Sequence, residues 1–171
     1  MHDLETLGIR PGSIIRSLGA VVFDPRTGKL GAEFYANITR ASCEKAGLTF
    51  DQSTVDWWED QSDAAKAALE IDQRPLIEVL SDFFHWFSSV GGEEIWSHGA
   101  GFDNVLLASA YRAVGVAPPW KFWNERCCRT VLALGNRRVD STRQGEHHNA
   151  LDDAKSQALA VSAALRYGIK L

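Results

Sequence analysis

Polar and apolar positions alternate from Ser13 and close into an apolar run ending at Phe23, and a second run returns from Leu30 to Ile38. That periodicity predicts two strands. Between them lies Asp24-Pro25-Arg26-Thr27-Gly28, where Pro presets φ and Gly tolerates a positive φ, so the strands fold back as an antiparallel hairpin. Leu4 to Leu7 reads as an earlier strand, and Ser53 to Leu69, bearing Trp and Ala, as short helices. Pro75 to Val90 is the clearest amphipathic helix: Leu76, Leu80, Phe83 and Phe87 recur at helical spacing, with Pro75 suited to the first turn. The aromatic set Phe83, Phe84, Trp86 and Phe87 reads as a face packed on a sheet in preference to a base-stacking platform.

Glu94 to Ser97 predicts a short strand that passes through His98-Gly99-Ala100-Gly101 into a helix from Phe102 to Val114. A Pro/Trp-rich loop from Ala117 to Trp123 precedes an expected strand around Cys127 to Val131. The last helix runs from about Asn149 to Arg166, with Leu151, Ala154, Ala158, Val161 and Leu165 on one stripe. Strands interleaved with helices predict one α/β domain over residues 1–171 with a mixed sheet.

Composition narrows this little. The 171 residues are enough to bury a core, and 45% apolar with 23% charged is ordinary for a globular protein. No apolar run approaches the ~20 residues of a membrane span. Met1 to Arg10 contains acidic residues and no apolar secretory core, so the expectation is a cytoplasmic protein with no membrane partner. Of three cysteines, Cys127 and Cys128 are neighbours and Cys43 is left over, which predicts free thiols over a disulfide or a zinc site. The net charge of −4 changes more. Proteins that coat nucleic acid are usually basic, because affinity comes from neutralising phosphates. If this chain handles nucleic acid, it does so at a small local site.

The chemistry lies in separated carboxylates. Asp3 and Glu5 flank Leu4 on a strand, so alternation puts both on one face. Two carboxylates there repel unless a cation sits between them. Asp103 follows a Gly-rich turn at a helix start, and Asp153 lies early in the last helix, five residues after His148. Each alone has a bland explanation in a solvated edge or a helix cap. Together they suit a pair of divalent cations, which at roughly 3.5–4 Å apart clamp the attacking and leaving oxygens of a phosphoryl displacement. Hard oxygen ligands favour Mg²⁺ or Mn²⁺, and a histidine titrating near neutrality suits proton removal from water.

In this order the blocks resemble the DEDDh exonucleases of the ribonuclease H-like fold. Asp3-Leu4-Glu5-Thr6 resembles the first motif of that family, Gly101-Phe102-Asp103-Asn104 the second, and His148-Asn149-Ala150-Leu151-Asp152-Asp153-Ala154 the third. The nearest likeness is to its compact phage and bacterial branch, through Asp3 to Gly8, Trp57-Trp58, Trp96 to Asn104 and Trp123 to Cys127. The resemblance implies a ribonuclease H-like mixed five-stranded sheet flanked by helices. It also implies a metal-dependent 3′–5′ exonuclease that releases nucleoside 5′-monophosphates from the 3′ end of single-stranded DNA or RNA. Asp3, Glu5, Asp103 and Asp153 would hold two cations, Mg²⁺ or Mn²⁺, and His148 would be the general base. His147 with Asp152 has the same spacing, but Ala150 and Ala154 fit the family signature only with His148 and Asp153. Thr6, Leu7, Phe102 and His98 stand where substrate contacts are expected. Family members are often dimers, which leaves a homodimer open. They also usually carry several apolar residues ahead of the first motif, where this chain has Met1 and His2.

Pro118 to Gly145 holds Lys121, Arg126, Arg129, Arg137, Arg138 and Arg143 against only Glu125 and Asp140, a local excess suited to phosphates or to solvent alike. Two other readings stand beside the exonuclease. One is a catalytically weakened nucleic-acid-binding module of the same fold, and the other a small-molecule phosphoesterase, which the acidic total would suit.

Overall fold

A computed structural model describes residues 1–135 and 143–166. Three strands form an antiparallel sheet in the order β1 (His2–Thr6), β2 (Ile15–Phe23), β3 (Leu30–Asn37). The expected hairpin is β2–β3, closed by a turn in which the Asp24 carboxylate accepts from Arg26 N and Thr27 Oγ1 and Gly28 takes φ 78°. Short helices α1 (Arg40–Lys45), α2 (Gln52–Glu59) and α3 (Asp63–Ala68) follow, then α4 (Leu76–Ser89). Strand β4 (Ile95–Ser97) leads through a π-helical turn (Ala100–Asn104) into α5 (Val105–Ala113). After a 3₁₀ turn (Phe122–Asn124) come β5 (Glu125–Cys127), α6 (Cys128–Leu134) and α7 (Ala150–Arg166).

Strand alternation assigns the faces. Leu4 pairs with Leu18, and both enter a large core with Ala20, Leu76, Leu80, Phe83, Phe87, Leu106 and Tyr111. The α4 stripe is therefore core packing, and Tyr111 ties α5 to α4 by donating to Leu80 O at 2.8 Å. The odd-numbered face carries Asp3, opposite Gly19, and Glu5, opposite Ser17. Helix α7 covers this face, and Val21 joins Ala154, Ala158, Val161, Cys128 and Leu132 in a second, smaller core. Gly19 allows the approach: a Cβ there would collide with the backbone of Ala150 and Leu151.

Two expectations are corrected. The strands do not form one five-stranded sheet. β4 and β5 make a separate parallel pair, with Ile95 opposite Glu125 and Ser97 opposite Cys127. β1 adjoins β4, and there the buried His2 ring meets Trp96 O through Nδ1 at 3.0 Å. The second correction concerns Cys127 to Val131. Only Cys127 ends a strand, and Cys128 begins α6. Thr130 and Val131 favour β structure locally, yet helical spacing puts Cys128 and Leu132, four apart, against α7, and that burial wins.

Candidate active site

Asp3, Glu5, Asp103 and Asp153 line one cavity of ≈ 470 Å³, together with His98, Phe102, Arg129, Arg143, His147, His148 and Gln157. Asp3, Glu5 and Asp153 each offer an oxygen, and these lie within 4.8 Å of one another. Strand β1 supplies the first two from one face. Asp103 comes from the π-helical turn, where its Oδ2 accepts from Gly99 N at 3.3 Å. Asp153 stands in the first turn of α7, which Gly19 lets down onto the sheet.

The electrostatics are those of crowded acids. Burial pushes the Asp3 carboxyl well above its usual range, and the charges of Asp103 and Glu5 push it further. Glu5 is pushed up to about 8 by burial, then by Asp153 and Asp103. Asp103 rises to about 6, again through burial first, although the Gly99 N–H works against it. Gln157 counters the trend at Asp3, donating from Nε2 to Oδ1 at 2.7 Å. Arg143 Nη1 meets Asp153 Oδ1 at 2.9 Å, while Asp153 Oδ2 accepts from His148 N at 3.1 Å.

His148 is half-buried and held between aromatic edges, 4.8 Å from the Trp57 ring centroid and 5.9 Å from that of Trp58. Burial, then the neighbouring His147, lowers its pKa, against the pull of Asp153. Trp58 is buried, its Nε1 donating to Thr6 O, whereas Trp57 is 43% exposed. Of the two His/Asp pairs with equal spacing, Asp153 is the one that lines the cavity. Asp152 turns back to accept from Glu146 N at 3.0 Å.

The four substrate-contact candidates divide. Phe102 and His98 line the cavity. Thr6 is buried, its hydroxyl donating to Gly8 O, and it borders an adjoining apolar hollow with Leu4, Glu5, Trp57 and Phe102. Leu7 packs in the main core. The basic segment also divides. Arg129 and Arg143 reach the cavity, and Arg129 Nε donates to His98 O at 2.8 Å. Arg126 pairs with Glu94 at 2.7 Å, and Arg137, Arg138 and Asp140 lie outside the described residues. Sequence reasoning missed Gln157. Its position one turn after Asp153 on the same helix is the signal that would have found it.

The profile of the Rv2179c-like 3′–5′ exoribonuclease domain family matches residues 1–165. The chain belongs to that family. An exodeoxyribonuclease of enterobacteria phage T4 is similar as well, 23% identical over an alignment covering 99% of this chain and 89% of the phage protein. This member of the Rv2179c-like family is a 3′–5′ exonuclease, a hydrolase of nucleic acid. Its acidic cluster is a possible metal-binding site, and among the described residues no helix is long and apolar enough to cross a membrane.

Proposed function

We propose that this chain is one exonuclease domain of the DEDDh type that removes nucleoside 5′-monophosphates from the 3′ end of single-stranded RNA or DNA by two-metal chemistry. The observation that carries this is the convergence of Asp3, Glu5 and Asp153 oxygens within 4.8 Å, with Asp103 on the same cavity wall. The donor set fits the proposed cations. It is all oxygen, which suits Mg²⁺ or Mn²⁺, and burial together with the charges of neighbouring acids raises the proton affinity of Asp3 and Glu5, a cost that a bound cation would offset.

Asp3, Glu5, Asp103 and Asp153 are the residues that would hold the cations, and His148 accepts a proton. Two cations at such a site supply charge neutralisation at the attacking and leaving oxygens of an in-line displacement. His148 takes a proton from the attacking water at a ring nitrogen. Its lowered pKa keeps the ring neutral and able to accept at pH 7. A new P–O bond forms from that water, the P–O3′ bond breaks, and the leaving oxygen departs as the 3′-hydroxyl of the shortened strand. Arg129 and Arg143, at the cavity wall, are placed to meet phosphate oxygens. The adjoining hollow bounded by Leu4, Trp57 and Phe102 suits the terminal base.

Matched 5′-labelled RNA and DNA strands, with 3′ ends free or blocked, test this in Mg²⁺ and in Mn²⁺. Stepwise shortening from a free 3′ end is the expected result, and Asp153→Asn is expected to slow it by more than ~100-fold. Full rate in Asp153→Asn removes the site assignment. Stoichiometric Mn²⁺ binding by calorimetry separates the enzyme from a weakened binding module of the same fold.

A further inference from the structure

Beside its acids the cavity carries a doubled imidazole, His147 and His148. His148 has φ 61°, the left-handed region that residues other than Gly seldom enter. In extended chain, successive side chains point to opposite sides. The turn at His148 instead lays the His147 and His148 rings together, centroids 3.8 Å apart and 24° from parallel. One ring nitrogen from each and one Asp153 oxygen lie within 4.8 Å of one another. Among the described residues neither imidazole has a hydrogen-bonded ring nitrogen, so both rings keep a lone pair to give. His147 is exposed, which leaves its ring room to turn towards an ion shared with His148 and Asp153.

We propose that His147, His148 and Asp153 form a second, distinct cation site, selective for a borderline divalent ion of the Zn²⁺ class, whose occupancy inhibits the nuclease. Two imidazoles and one carboxylate match the three-ligand, one-open-position sets that Zn²⁺ accepts. Mg²⁺ and Mn²⁺ prefer the oxygen donors of Asp3 and Glu5. Asp153 belongs to both groups, and an ion on His148 occupies the lone pair that would accept the water proton. The ion therefore blocks the reaction twice over, through the base and through the shared carboxylate. Binding stands on the geometry alone; its inhibitory effect rests on the function proposed above.

The test uses the full chain saturated with Mg²⁺, titrated with Zn²⁺ in a calorimeter and with Co²⁺ in a visible spectrometer. One equivalent of Zn²⁺ is expected to bind in the presence of Mg²⁺, and Co²⁺ to give the strong visible bands of nitrogen ligation at low coordination number. His147→Ala is expected to weaken Zn²⁺ by more than about 10-fold and to abolish those bands, with thermal unfolding of the metal-free protein unchanged. The Zn²⁺ concentration that halves the digestion rate should rise in parallel. Equal Zn²⁺ affinity in the native chain and His147→Ala overturns the proposal, as does a Co²⁺ spectrum of oxygen ligands alone. Failure of the nuclease reading shows separately, as a strand left intact in Mg²⁺ before any Zn²⁺ is added.

Discussion

At the scale of single residues, Gln157 shows how a neutral side chain serves an acidic site. Its amide holds Asp3 Oδ1 at 2.7 Å and opposes the rise in that carboxyl's proton affinity. Gln157→Leu keeps the helix and most of the volume but removes this donor. We expect Mn²⁺ affinity and digestion rate to fall by ~10–100-fold, the range seen when a ligand loses its orienting partner, with little change in thermal midpoint. Calorimetry and the labelled-strand assay read the two quantities. That Asp3 and Glu5 share a face was legible from strand alternation, a local rule, whereas grouping Asp103 and Asp153 with them rested on the resemblance of three separated motifs. Gln157 was passed over because an uncharged residue announces nothing until the fold sets it against a carboxylate 154 positions away.

Among elements, α7 has most to position. Asn149 Oδ1 accepts from Leu151 N and Asp152 N at 3.1 and 3.2 Å, fixing the helix start one turn ahead of Asp153. Asn149→Ala is expected to cost about 1 kcal/mol in chemical denaturation, the usual loss for such a cap. A digestion rate reduced by a larger factor than Asn149→Ala's effect on folding would show that the cap also aims Asp153. Helix α4 was readable because its apolar period matches its buried face. The opposite held for α6: Thr130 and Val131 speak locally for a strand, and only the packing of Cys128 and Leu132 on α7 makes a helix there. The split between the three-stranded and two-stranded sheets was equally hidden, since strand pairing between distant segments leaves no local trace in the sequence.

For the whole molecule, the buried acids set a dependence of stability on pH. Glu5 rises from 4.5 to about 8 and Asp103 from 3.8 to about 6, with Asp3 also raised. The native state therefore keeps protons that the unfolded chain has released, and this contribution falls as pH rises from about 3.8 towards 8. Two buried bases act in the opposite sense. Burial lowers the Met1 amine from 8.0 to about 5 and His2 from 6.5 to about 3, so their cost shrinks as pH rises. A comparison of metal-free and Mn²⁺-saturated protein cancels the bases and isolates the acids. The gap between the two thermal midpoints is expected to widen from pH 5 to pH 8, each kcal/mol moving it about 2–4 °C. A gap constant across that range would contradict the linkage of cation binding to proton release.

Gly19 carries an implication for how the protein can be switched off. It sits across from Asp3 in the sheet and contributes no chemistry, yet the backbone of Ala150 and Leu151 occupies the space that any side chain there would need. Even an alanine would act as a wedge, prising the helix away while every acid, imidazole and guanidinium stays in the sequence. A nuclease disabled in this manner would keep its full complement of reactive groups and lose only their meeting place, so an inventory of intact motifs would pronounce it active.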